Sequence, residues 1–174
     1  MRCSRRVLLS AESVRAAAST RLGVWLGIAI VRRAMATWQL GPFDNDDAVE
    51  WCDALEAAPL DQRAELVRNT LTVAVAGRDP TAGEAARAVA AAATALQFLS
   101  GVPFSSSAYA PRFLSGREAV AVDSSIRDLA VRALDEVLAN GSAWRLRWAG
   151  DIEEEEALAA VEILRSHLIS AVTP

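Results

Sequence analysis

The sequence predicts an all-α protein, a single compact bundle of about five or six helices preceded by an N-terminal extension. Three observations predict it. Of 174 residues, 52% are hydrophobic but only 6% aromatic, and 36 are alanine, which helices tolerate best and strands disfavour. From Met35 onward, apolar residues recur at helical spacing behind cap-forming residues. No stretch alternates apolar and polar long enough for a strand, and no internal repeat is present.

The elements follow in order. Asp44 or Asn45 is placed to cap a first helix whose stripe is Ala48, Trp51, Cys52 and Leu55, with Asp46 and Asp47 at its positive end. Pro59 ends it. A second helix spans about 61–76, with Ala64, Val67, Leu71 and Ala74 on one face and Gly77 as its stop. Thr81 and Glu84 read as a capping box for a third helix bearing Val89, Ala92, Leu96 and Leu99. Residues 100–117, rich in Ser, Pro and Gly, form the main irregular segment, with one turn around Arg112, Phe113 and Leu114. A fourth helix starts near Ser125 and buries Ile126, Leu129, Ala133 and Val137. After Asn140-Gly141, Ser142 caps a short helix carrying Trp144 and Trp148. Asp151 and Glu154 resemble a second capping box, opening a last helix that buries Leu158, Val161, Leu164 and Leu168.

Charge divides the chain. All 18 basic residues are Arg, and there is no Lys. Before Met35 lie seven Arg and one Glu, a net of +6; from Met35 onward lie 11 Arg against 21 Asp and Glu, a net of −10. The division implies domains 1–34, a basic extension, and 35–174, the helical domain. The apolar run at 22–31 is ten residues long, too short to cross a bilayer, and Arg32-Arg33 stand where a signal peptide would be cleaved. The charge reversal favours a translation start at Met35, with residues 1–34 dispensable. The alternatives are a membrane-associating or targeting segment and an integral part of the fold. The acidic body excludes appreciable nucleic-acid binding, which needs a basic face. Cys3 and Cys52 form no zinc or redox pattern, which fits a reduced, cytoplasmic protein.

The residues from Trp38 to Trp51, WQLGPFDNDDAVEW, resemble the signature W-G-x-G-x-F-x-N-D-x-A-x-x-W, which opens the bacterial family catalogued as domain of unknown function 4259. The matching positions are Trp38, Gly41, Phe43, Asn45, Asp46, Ala48 and Trp51. Gln39 departs from the pattern, which usually has Gly there. Asn140-Gly141-Ser142 followed by Trp148 is similar to the family's weaker second motif, with Arg147 where the family tends to Leu. The resemblance covers residues 35–168. It implies a small, largely helical bacterial protein and no particular activity. The residues themselves favour a folding role for the signature, with Trp38 and Phe43 folded back over the first helix.

No catalytic constellation is evident, and no cofactor or metal is expected. There is no P-loop, no G-x-G-x-x-G and no G-x-S-x-G, and Ser105, Ser106 and Ser107 lack a histidine base. His167 is the lone histidine. Asp44, Asp46, Asp47, Glu50 and Asp53 form an acidic cluster without EF-hand spacing, read as caps and solvated face. The function that fits is a non-enzymatic protein-binding module, such as a toxin-neutralising or regulatory protein with a basic partner. Trp144, Trp148, Glu153 and Glu154 are the expected partner surface, because interfaces favour aromatic anchors. The alternatives are membrane attachment through residues 1–34 and an enzyme with a carboxylate site at Asp46, Asp47 and Glu50, joined by Glu84.

Overall fold

The computed structural model describes residues 40–171 except Gly77, Val102 and residues 116–121; the expectations for residues 1–34 and for Trp38 lie outside them. The described residues form α1 (Asp46–Ala57), α2 (Leu60–Ala74), α3 (Ala82–Ser100), α4 (Ser124–Leu138), α5 (Ala143–Trp148) and α6 (Glu154–Ser170), with a 3₁₀ turn at Arg112–Ser115. No strand occurs among them, so the fold is all-α, as the alanine content and periodicity require.

The axis of the bundle is α3, which packs against all five other helices. Its residues from Ala88 to Gln97 are buried without a break, so the helix is apolar all round, as an enclosed helix must be. Alanine on every face lets the surrounding helices approach closely. The Thr81 box forms as expected: the Thr81 hydroxyl accepts from the Glu84 N–H, and the Glu84 carboxylate accepts from the Thr81 N–H at 2.9 Å. Gly101, at φ 68°, closes the other end by donating its N–H to the Gln97 carbonyl at 2.8 Å, a left-handed cap that suits glycine.

Other boundaries shift. α2 starts directly behind Pro59 and ends at Ala74, two residues before the expected end at 76. Asp123 caps α4 by accepting from the Ile126 N–H at 2.9 Å. The expected box at Asp151 does not form. Asp151 accepts from the Glu153 N–H and Glu154 from the Gly150 N–H, which makes a turn, and α6 begins only at Glu154 without a side-chain cap. With that start, Ala157 takes the buried position expected of Leu158, and the stripe is Ala157, Val161, Leu164 and Leu168.

Candidate functional site

Residues 40–51 fold into a knot of short-range and long-range ties. The Asp44 N–H donates to the Gly41 carbonyl, which curls the chain so that an added Cβ at Gly41 would lie 2.1 Å from the Asp44 carboxylate. Any larger residue here would have to displace the Asp44 carboxylate. Asp44 is only 5% exposed and accepts from the Ser107 hydroxyl at 2.5 Å, which fastens the serine loop to the start of the domain. Asp44 is therefore not the cap of α1. Asn45 is, accepting from the Ala48 N–H at 2.8 Å. Phe43 and Ala48 are fully buried. Trp51 is buried as well, and its indole N–H donates to the Thr70 hydroxyl of α2 at 2.8 Å.

Asp46 is exposed, whereas Asp47 reaches across to the first turn of α3. There it pairs with Arg87 at 2.9 Å and crowds the Cα of Gly83, so that a Cβ at Gly83 would meet its Oδ1 at 2.8 Å. A carboxylate at a helix start is favoured by the helix dipole.

The second tryptophan-bearing segment is α5. Ser142 caps it by accepting from the Arg145 N–H, while its own hydroxyl donates to the Val137 carbonyl at 2.6 Å. Trp144 and Trp148 meet edge to face at 6.2 Å between centroids. They are 5% and 4% exposed, so the expected exposed tryptophan surface is corrected: both rings are part of the core. Burial pushes the Arg147 guanidinium below the usual arginine range, opposed by the charges of Asp47 and Asp46. Those charges link this segment to the signature.

Residues 36–161 match the family profile described as domain of unknown function (DUF4259). The chain belongs to the DUF4259 family. No curated protein and no solved structure matches it.

Within this DUF4259 domain the other candidate residues are either exposed or held by an arginine. Asp46, Glu50 and Asp53 are exposed, Asp47 is held by Arg87, and Glu84 is clamped by Arg78 at 2.5 and 3.0 Å. That clamp, with the Thr81 N–H, holds the Glu84 carboxyl down at about 2. The small hollow Glu84 lines, about 110 Å³, contains none of the other three carboxylates of the expected enzyme site. Among the described residues no group of His, Cys, Asp and Glu is arranged to hold a metal ion. Cys52 is buried and free, and burial, followed by Asp53 and Glu56, pushes its thiol up to about 12, far from a reactive thiolate. His167 is exposed and sits edge-on to Phe104 at 5.8 Å.

The surface that the sequence reading missed lies beside the buried tryptophans. Leu146 of α5 is 66% exposed, and Ile152, in the turn before α6, is 98% exposed. Asp151, Glu153, Glu155 and Glu156 around Ile152 are exposed too. The available signal was an isolated isoleucine inside a run of acids, off any helical stripe.

Proposed function

We propose that the domain is a non-enzymatic protein-binding module whose partner presents a basic surface. The observation that supports it most is Ile152, an almost fully exposed β-branched side chain flanked in the chain by exposed acids. Single exposed apolar residues are common. One set in an exposed acidic run offers an apolar anchor beside charged groups, the composition of a small docking surface. Leu146 adds a second exposed apolar side chain six residues earlier. The net charge of −10 from Met35 onward favours a basic protein and opposes nucleic acid. None of the described helices is long and apolar enough to cross a membrane.

The test is affinity purification of the full-length chain from its own cells, in parallel with Ile152→Asp and with the double variant Leu146→Asp/Ile152→Asp. A basic protein retained by the parent and depleted about tenfold or more by the variants, with unchanged helix content, is the expected result. Retention of the same proteins by parent and variants removes this reading.

A further inference from the structure

Beside Phe104 the surface opens into two adjoining hollows that play no part in the proposed docking surface. The first, about 560 Å³, lies between the end of α3 and the last turns of α6 and is walled by Leu96, Phe104, Ile163 and His167. The second, about 700 Å³, lies under the serine loop and is lined by Gln97, Ser105, Ser106 and Arg112. Pro103 and Phe104 line both, so the two hollows are lobes that share a wall. Each is within the range of small-molecule sites, roughly 300–1,000 Å³.

The lobes differ in chemistry. Leu96, Phe104 and Ile163 make the first one apolar, and Ile163 is 52% exposed, with apolar surface left in water. The second carries hydrogen-bond donors. The Ser105 oxygen accepts from the Ser107 N–H, which leaves its O–H to donate. The Ser107 hydroxyl is already committed, donating to Asp44 and accepting from the Tyr109 N–H. The second lobe is also edged by a cation, the exposed Arg112. Arg78 and Arg87, which line other hollows, pair with Glu84 and Asp47. The guanidinium of Arg112 makes no ion pair among the described residues. Glu56, the carboxylate next to it, accepts from the Arg112 backbone N–H and so holds the chain in place. Among the described residues the exposed Arg112 fork therefore carries no carboxylate, and its planar donors suit a carboxylate from outside.

We propose that the two lobes act as one cleft across Phe104 and bind a small amphipathic carboxylate, with its hydrocarbon chain against Leu96, Phe104 and Ile163 and its carboxylate on Arg112 and the Ser105 hydroxyl. The proposal is independent of the docking surface at Ile152, and either can fail alone.

Isothermal titration of the full-length chain tests it, with octanoate, octan-1-ol and acetate as probes. Octanoate saturates one site, and the alcohol and acetate, each lacking one half of the recognition, bind about tenfold more weakly or not at all. Arg112→Gln lowers octanoate affinity about tenfold and leaves the alcohol unchanged, because only the charged contact is lost. Ile163→Asp weakens both ligands, and Ile163→Ser gives the same readout if the aspartate variant does not fold. An absence of saturable octanoate binding, equal affinity for octanoate and octanol, or parent-like binding by Arg112→Gln overturns the proposal.

Discussion

Trp51 and Trp148 are nearly equally buried, at 6% and 4% exposed, yet their indole N–H groups are treated in opposite ways. Trp51 donates to the Thr70 hydroxyl, which in turn donates to the Leu66 carbonyl of its own helix, so the first bond ties α1 to α2 and the second orients its acceptor. The indole N–H groups of Trp148 and of its neighbour Trp144 meet no acceptor among the described residues. A buried donor without a partner costs about 1–3 kcal/mol, whereas a satisfied one contributes about 1 kcal/mol net. The signature end is therefore a polar and apolar lock. At the α5 end Ser142 supplies the polar tie, and the two tryptophans stabilise by area and shape.

The first way to break the comparison is to remove a ring entirely. Trp51→Ala takes away the largest side chain of α1 and its bond to Thr70, and should cost about 3–5 kcal/mol in denaturant unfolding. A loss below about 0.5 kcal/mol, the range of surface substitutions, would show that the signature tryptophan is not part of the core.

Gly41→Ala comes next. The new methyl group would drive into the Asp44 carboxylate and push it from the Ser107 hydroxyl, so both the turn and the loop tie should suffer. Overpacking of this kind costs about 1–3 kcal/mol. Ser107→Ala on top of Gly41→Ala should then add little, because the tie is already gone. Full additivity of the two losses would separate the glycine from the loop.

The comparison itself is sharpened by replacing indole with phenyl. Trp51→Phe forfeits a satisfied donor and should cost about 1–2 kcal/mol beyond the loss of ring area. Trp148→Phe removes a donor that has no partner, so the lost area is offset and the variant should stay closer to the parent. Equal losses at the two positions would show that the Trp148 N–H is satisfied in solution, for instance by a bound water.

Much of this architecture is legible in the chain because its signals are local. Asn45, Thr81 and Ser142 each cap the N–H three residues on, within reach of a short sequence window. The stripe Ala48, Trp51, Cys52 and Leu55 follows from one helix's period. What escapes is what another segment decides. The partner of Asp44 is Ser107, 63 residues away, and that of Trp51 is Thr70, 19 residues away. α5 is six residues long, too short for periodicity to show which side is buried, so Trp144 and Trp148 looked as suited to a surface as to a core. The register of α6 depended on a turn at Asp151 that mimics a capping box while starting no helix.

The smallest effect concerns the one strongly shifted carboxylate of the α3 cap. In the folded chain Glu84 accepts from Arg78 and from the Thr81 N–H, and its carboxyl is held at about 2 against an ordinary value of 4.5. A folded value below the unfolded one means that the unfolded chain takes up the proton first as pH falls. The stabilisation from ionised Glu84 is thus complete above about pH 4.5, declines below it, and is gone below about pH 2. Arg78 is well exposed, at 57% of its side chain, so water screens the pair and the contribution at neutral pH is small. Glu84→Gln keeps an oxygen that can accept from the Thr81 N–H but has no charge to lose. Its stability should lie slightly below the parent at pH 7, and the gap should close between pH 4.5 and pH 2 in acid-series unfolding. Because every other carboxylate is common to both proteins, the difference isolates this one group. A gap that stayed constant or widened on acidification would mean that the Glu84 side chain holds the cap by shape and not by charge.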